Sequence, residues 1–185
     1  GGNTDNINFM NDDTLRFISD FGQLTTTQVF RDPSAWYHIM YAFDSTQGTA
    51  ANRLKLYVNG TQVTSFGTAQ YPDENDEVDF NSAIVHDIGR NAPEAGQNMD
   101  GYMADVNFID GAALTPASFG ETGDYGEWKP IEYSGTYGNN GFYLPFKHTP
   151  EVSSGFSITN WLGDNNDSSN GRYIGGVGFS YDLIW

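Results

Sequence analysis

Four acidic side chains lie close together in the charged stretch after Pro72, where paired carboxyl groups could hydrolyse a glycosidic bond. They are Glu74, Asp76, Glu77 and Asp79. Glycoside hydrolysis needs two carboxyl groups about 5–10 Å apart, one of them kept protonated by an apolar setting that raises its pKa. The stretch lacks the alternating apolar residues that would form a strand and desolvate one acid. We therefore expect a solvated loop, and we expect that the protein is not an enzyme.

Histidine and cysteine offer little other catalytic chemistry. His38, His86 and His148 are far apart, cysteine is absent, and no Gly-x-Ser-x-Gly motif occurs. Thiolate-ligated zinc, disulfide bonds and a thiol nucleophile are therefore excluded. His38 and His86 are predicted to be packed or surface residues of strands.

A glycine-rich, irregular stretch carries four aromatic residues that could stack on sugar rings: Tyr125, Trp128, Tyr133 and Tyr137. Aromatic residues in loops are less expected to belong to the hydrophobic core than those in strands, and binding residues are often found on loops. Glycan binding is one interpretation. The alternative is that these rings fasten the stretch to the rest of its own domain or to the next one.

Charge limits the classes of partner. The chain has 8 basic and 24 acidic residues among 185, a formal net charge of −16. Nucleic acid and anionic membrane surfaces both require a basic surface, so neither is an expected partner. No apolar run approaches the roughly 20 residues of a membrane-spanning helix, so no membrane insertion is expected. The excess of acidic residues favours solubility, and the alternative interpretation is that some of them bind a cation.

The elements that would position these residues are predicted to be strands. Aromatic residues form 15% of the chain, and 22 glycines and 7 prolines favour many short strands with tight turns. Strands are predicted at residues 7–10, 14–19, 36–43, 53–58, 61–66, 82–89, 101–109 and 142–146. Asn59-Gly60 predicts a type I′ hairpin turn. Thr115 and Pro116 predict one helical turn. The fold class is all-β, an antiparallel β-sandwich.

Three motifs occur in an order that resembles a known family. WYHIMYAFD, LKLYVNGTQV and IGRNAPEAGQNMDGYMADVNFIDG resemble the later strands of concanavalin A-like, laminin-G-like jelly rolls, over about residues 8–146. The resemblance implies a jelly-roll domain at residues 1–146 that is incomplete at its N-terminal side. Residues 119–146 resemble modules of tail-fibre-like virion proteins of tailed bacteriophages, and residues 176–185 resemble the first strand of a following domain. Residues 147–185 are accordingly predicted to be a linker and the first strands of a second β domain.

The resemblance also implies a cation site. Laminin-G-like jelly rolls often hold a calcium ion at one rim, and the matching positions here are Asp44, Asn91, Asn98 and Asp100. Ordinary turn formation is the alternative, because Asp and Asn favour turns. A second, weaker cluster of polar residues lies further along the chain: Asp164, Asn166, Asp167 and Asn170.

These features together predict a structural or adhesion protein of a virion, namely a fibre, decoration or receptor-binding module. It would be extracellular or part of the virion, and it would assemble with sister chains or neighbouring virion proteins and contact cell-surface glycans. The apolar ending at Trp185 predicts a strand that is continued or covered by another chain. The alternatives are a secreted carbohydrate-active enzyme or its binding module, and a cellular surface adhesin or filament-coat protein.

Overall fold

The computed structural model describes residues 5–90 and 98–146, which form short antiparallel strands and one single-turn helix, α1 (Ala50–Arg53). The strands of this part of the chain are β1 (Asn6–Phe9), β2 (Thr14–Ser19), β3 (Gly22–Val29), β4 (Ile39–Phe43), β5 (Leu54–Val58), β6 (Thr61–Gln62), β7 (Phe66–Gln70), β8 (Val106–Phe108), β9 (Gly120–Thr122), β10 (Trp128–Pro130) and β11 (Phe142–Leu144). The predicted all-β, antiparallel class is confirmed.

The first sheet has the strand order β1-β2-β3-β7, and every pair in it is antiparallel. In β2, Leu15, Phe17 and Ser19 are buried and the residues between them are half-buried, as expected of a strand with one core face. The β2–β3 pairing contains an irregularity between Thr14 and Arg16. There the Leu15 N–H donates to the buried Thr26 hydroxyl at 3.0 Å, which replaces a hydrogen bond of the ladder.

The second sheet has the order β4-β5-β6 and contains the predicted Asn59-Gly60 hairpin. Asn59 and Gly60 have φ values of 47° and 77°, which are the two positive values that a type I′ turn requires. The alternation in β5 is also confirmed, because Leu54, Leu56 and Val58 are buried and the side chains between them are half-buried.

The core lies between these two sheets. Phe17 and Leu24 of the first sheet pack with Leu54 of the second, and all three are at most 2% exposed. Half-buried rings of both sheets and of residues 71–80 surround this cluster: Tyr41, Phe43, Phe66, Tyr71 and Phe80. Two facing antiparallel sheets with a shared apolar interior are a β-sandwich.

Two further pairs of strands carry the aromatic stretch. β9 pairs with β10 in a hairpin, and β8 pairs with β11 across a long connection. A single 3₁₀ turn at Pro116–Ser118 precedes β9, with Thr115 before it, so the predicted helical turn is confirmed. The Thr115 side chain makes no capping hydrogen bond there.

Several strand predictions were wrong. Residues 82–89 form no strand, because their backbone makes short-range hydrogen bonds that are typical of turns. The Ser82 N–H donates to the Asp79 carbonyl, and the Ile84 N–H donates to the Ser82 carbonyl. The strand predicted at 101–109 is reduced to β8, because Asp105 has a φ of 52° and interrupts the extended backbone. β3 was not predicted, since its polar sequence GQLTTTQV has little apolar alternation.

Other predictions fall outside the described residues. The second β domain at 147–185, the polar cluster of residues 164–170 and the strand at the end of the chain all belong to this group. Within the described residues, no helix combines the length and apolar character needed to cross a membrane.

Candidate functional site

The acidic stretch after Pro72 is a loop of exposed and half-buried residues. The Glu74 carboxylate lies 3.7 Å from the Arg53 guanidinium, and the Asp76 carboxylate accepts the Asp73 N–H at 2.7 Å. Glu74 and Glu77 are both exposed. Neither of these two glutamates is in the desolvated setting that raises the pKa of a general acid.

The two histidines in the described part of the chain contact an aromatic ring and backbone carbonyl groups. His38 is half-buried beside the Trp128 indole, with ring centroids 5.6 Å apart, and burial lowers its pKa. The two ring nitrogens of His86 lie 2.9 Å and 3.0 Å from the carbonyl oxygens of Ile84 and Asp79. His148 lies outside the described residues.

Asp44, one of the predicted calcium ligands, forms a turn with the residues that follow it. Its Oδ1 accepts the Thr46 hydroxyl at 2.6 Å and the Thr46 N–H at 3.1 Å, and its Oδ2 accepts the Gln47 amide at 2.6 Å. These bonds, led by the one from the Thr46 hydroxyl, hold the Asp44 pKa below its usual value. They use much of the acceptor capacity of the carboxylate. Asp12 and Asp32 make the same turn with Thr14 and Ser34.

Two of the remaining predicted calcium ligands belong to the described part of the chain. Asn98 forms an isolated bridge with Arg90, Asp100 is exposed two residues later, and Asn91 is outside the described residues. Among residues 5–90 and 98–146, no group of three or more His, Cys, Asp or Glu side chains could hold a metal ion. Calcium binding by Asp44, Asn91, Asn98 and Asp100 stays a prediction from the sequence.

The predicted glycan residues separate into exposed and packed rings. Tyr125 lies in the turn between β9 and β10 and is 96% exposed. The Trp128 indole, by contrast, packs against His38 and covers Gly60 and Gly120, where a Cβ atom would overlap the ring. Trp128 therefore fastens the β9–β10 hairpin to the β5–β6 turn, which is the packing alternative considered for this stretch.

Tyr133 and Tyr137 belong to a group of tyrosines with polar partners, here called the tyrosine cluster: Tyr133, Tyr137, Tyr143, Asn107 and Asp105. The rings of Tyr133 and Tyr137 are 5.2 Å apart and perpendicular. The Tyr137 hydroxyl donates to Asn107 Oδ1 at 2.8 Å, and the Tyr143 hydroxyl donates to the Asp105 carboxylate. That hydrogen bond raises the pKa of Tyr143 to about 12. The cluster thus holds neutral phenols beside amide and carboxylate groups.

Sequence reasoning missed three members of the tyrosine cluster. Asn107 and Tyr143 are direct partners in the β8–β11 pair, 36 positions apart in the chain. Asp105 and Tyr143 each lay in a predicted strand, but nothing in the sequence indicated that the two strands pair. The alternation of aromatic and polar residues in both strands was the signal available.

The arrangement of the two sheets and of the turns that join their strands indicates the class of the protein. Two facing antiparallel sheets, with turns that carry Asp, Asn and aromatic residues, form a lectin-type β-sandwich. Residues 1–118 of the 185 match the laminin G type of the concanavalin A-like lectin/glucanases superfamily, and the chain belongs to this family. The description of the family covers lectins, which bind carbohydrate, and glucanases, which hydrolyse it. No curated protein and no solved structure gives a significant match.

Proposed function

We propose that this chain is a non-catalytic adhesion module that contacts glycans through the aromatic stretch of residues 119–146. The observation that supports this best is the exposed ring of Tyr125, on the same stretch as the phenols of the tyrosine cluster. Exposed rings stack on the apolar faces of sugars, while phenol, amide and carboxylate groups bond to hydroxyl groups. Membership of a family that contains lectins also supports it.

Glycan-array binding tests this role with one matched pair of variants. Tyr125→Ala should weaken binding to any glycan that the native chain retains. Tyr102→Ala is the control, because Tyr102 is 87% exposed but lies outside the aromatic stretch. Equal loss in both variants, or no loss in either, would count against a site at Tyr125.

The proposed module also assembles with other protein chains. β1 is an edge strand of the first sheet, and in the described part of the chain no strand pairs with its outer side. Two of its side chains, Ile7 and Phe9, are 44% and 51% exposed. An unpaired strand edge with apolar side chains can accept a strand from a sister chain or a neighbouring protein.

Light scattering after size exclusion tests the assembly. Ile7→Lys should convert oligomers to monomers, whereas Ile131→Lys, at a residue that is 41% exposed, should not. A native chain that stays monomeric at high concentration would contradict self-assembly and leave only neighbouring proteins as partners.

The proposed location is the surface of a virion, with the cell surface as the competing location. The resemblance of residues 119–146 to modules of phage virion proteins supports the virion, and the family membership is compatible with both locations. Immuno-electron microscopy with antibodies to the chain would decide between them. Labelled virions would support the proposal, and label confined to cell envelopes or filaments would favour a cellular adhesin or filament-coat protein.

The carbohydrate-active enzyme is the alternative from the same family. It predicts turnover of a β-glucan panel that Glu74→Gln or Glu77→Gln abolishes. No turnover is expected, because both carboxylates lie on an exposed loop. Turnover lost in either variant would replace the adhesion proposal.

Calcium binding is a separate proposal that depends on the sequence alone. A bound ion stabilises the folded state, so calcium should raise the melting temperature relative to a chelator. Asp100→Asn should remove that difference, and Asp124→Asn, an exposed control, should keep it. Equal melting temperatures with calcium and with chelator would exclude the site.

A further inference from the structure

The core-facing side of β1 is only half covered. Directly paired residues of antiparallel strands share a face of the sheet. Ile7 and Phe9 pair with Phe17 and Leu15, so their side chains lie on the core side. Phe17 and Leu15 are 2% and 1% exposed, whereas Ile7 and Phe9 are 44% and 51% exposed. The described part of the chain therefore leaves about half of each β1 side chain uncovered, although both belong to the interior face.

The backbone of β1 offers hydrogen-bonding groups at these same two residues. The Met10 N–H donates to the Thr14 carbonyl at 2.8 Å, so the backbone groups of Met10 are directed towards β2. The backbone groups of successive residues in a strand point to opposite sides. Those of Asn8 are therefore also directed towards β2, and the N–H and C=O groups of Ile7 and Phe9 point away from it. A further strand could pair with β1 through these groups.

β1 is uncharged in a strongly acidic chain. Its sequence NINF places carboxamides on the outer face and apolar side chains on the core side. With a formal net charge of −16, two copies of the chain repel each other, and a neutral surface opposes their contact least. The acid that precedes the strand, Asp5, accepts the N–H groups of Asp20 and Asp79 at 3.2 Å and 2.7 Å. The strand is therefore suited to a contact between copies.

The sequence of β1 is complementary to itself when two copies run antiparallel about a two-fold axis at Asn8. Ile7 of each copy then lies opposite Phe9 of the other copy on the core side, and each such pair exchanges two backbone hydrogen bonds. The two Asn8 side chains meet on the outer face, where one carboxamide can donate to the other. A shift by one residue would pair Ile7 with Asn8 and put the apolar side chains of the two copies on opposite faces.

We propose that β1 pairs in this way with β1 of a second copy, so that two four-stranded sheets become one continuous sheet. This inference rests on the proposed assembly at β1 and specifies its partner, direction and register. The same surface is used by both copies, so the assembly closes as a two-fold symmetric dimer. The Phe9 ring already packs edge to face on Phe30, with centroids 5.5 Å apart, and receives Ile7 of the second copy on its uncovered side.

A single engineered cysteine tests the register, because the chain has no cysteine of its own. Opposite residues of a non-hydrogen-bonded antiparallel pair have Cα atoms about 4.5 Å apart, a distance that a disulfide can bridge. Asn6→Cys is the matched control for Asn8→Cys, since both residues are half-buried asparagines on one face of β1. In the proposed dimer the two copies of residue 6 are about 14 Å apart. Asn8→Cys should therefore form a disulfide-linked dimer at least about tenfold faster than Asn6→Cys on mild oxidation.

Hydrogen exchange of the native chain tests the same pairing without a substitution. The Ile7 and Phe9 amides should exchange more slowly in concentrated than in dilute solution, because each bonds to the second copy only in the dimer. Exchange at these two amides that is the same at both concentrations would overturn the pairing. Circular dichroism of reduced Asn8→Cys should match that of the native chain, which would show that the variant folds.

The outcomes separate this inference from the proposed assembly. Fast cross-linking of Asn8→Cys alone supports the antiparallel dimer. Equal cross-linking of Asn6→Cys and Asn8→Cys overturns the register, since a parallel pair or random collision gives that result. A native dimer in light scattering whose Asn8→Cys variant does not cross-link overturns the inference, while assembly through another surface stands. A native chain that is monomeric at high concentration overturns the inference together with self-assembly.

Discussion

Arg53 is a buried charged residue that bonds the loop between β4 and α1 to the loop that follows β7. Its removal tests how much these bonds contribute to the stability of the fold. Arg53 is 8% exposed and ends α1. Its guanidinium donates through Nε to the Gln47 carbonyl at 2.7 Å, through Nη1 to the Pro72 carbonyl at 2.9 Å and through Nη2 to the Gly48 carbonyl at 3.3 Å. One side chain thus satisfies carbonyl groups of both loops.

The expected cost of Arg53→Met follows from these bonds. The bond to Pro72 is buried, and a buried hydrogen bond to a charged group is worth about 1.5–3 kcal/mol. The bonds to Gln47 and Gly48 are partly buried and add about 1 kcal/mol each. We expect a loss of about 4 kcal/mol in the free energy of unfolding. Arg53→Lys should lose about half of that, because an ammonium group cannot reproduce the planar set of donors.

Urea unfolding followed by tryptophan fluorescence would measure these losses. Glu74→Gln is the matched control, since it removes the 3.7 Å ion pair and keeps the three carbonyl bonds. An ion pair with a carboxylate that is 54% exposed is worth at most about 1 kcal/mol. The reasoning would be refuted if Arg53→Met cost under about 1 kcal/mol, or if Glu74→Gln cost as much as Arg53→Met.

Three further predictions concern the second sheet and the ring that packs on it. Tyr41→Phe should raise the free energy of unfolding by about 1 kcal/mol in urea, because the buried Tyr41 hydroxyl has no hydrogen-bond partner among the described residues. Burial lowers the pKa of His38, so its contribution to stability is complete above about pH 6.5 and is lost as the pH falls through the lower folded value. The stability advantage of the native chain over His38→Gln should therefore shrink on acidification, as measured by urea unfolding at several pH values. Gly60→Ala should cost about 3 kcal/mol and change the near-ultraviolet circular dichroism, because its φ is 77° and the new Cβ would overlap Trp128.

Two of these predictions have a control in the same fold. Tyr57→Phe should be nearly neutral, because Tyr57 is half-buried on the other face of β5. Gly126 has a similar positive φ of 85° and nothing near its Cβ position, so Gly126→Ala isolates a backbone cost of about 1 kcal/mol. Equal losses at Gly60 and Gly126 would contradict the packing of Trp128. Destabilisation by Tyr41→Phe would contradict the prediction for the unpartnered hydroxyl. A pH dependence of stability that is unchanged in His38→Gln would contradict the prediction for His38.

Local patterns predicted the parts of the fold that local interactions determine. The alternation of Leu54, Leu56 and Val58, followed by Asn59-Gly60, specifies a strand and a turn within seven residues, and the structure has both. Residues 82–89 show where this reasoning fails. Their apolar side chains suggested a strand, but Ile84, Val85 and Ile88 are 43–85% exposed, and short-range hydrogen bonds close the backbone. Apolar composition without a partner strand does not determine strand formation.

The aromatic stretch was predicted as one group, yet its rings have different environments. Tyr125 and Trp128 are three positions apart, but one ring is 96% exposed and the other packs on Gly60 and Gly120. The difference arises because Gly60, in the β5–β6 turn some 70 positions earlier, has no side chain and leaves room for the indole. Such a contact depends on the tertiary placement of two hairpins, which no local pattern contains.

The outer face of the first sheet depends even more strongly on the register between strands that are far apart in the chain. A shift of one residue in β3 would turn Leu24 outward and bury Gln23, since successive side chains of a strand point to opposite faces. The sequence GQLTTTQV opposes such a shift only weakly, because Leu24 is its one large apolar residue before Val29. The hydrogen bond from the Leu15 N–H to the buried Thr26 hydroxyl supplies a further constraint, since only the observed register brings these groups together. A core threonine therefore helps to determine which side chains of β3 face outward.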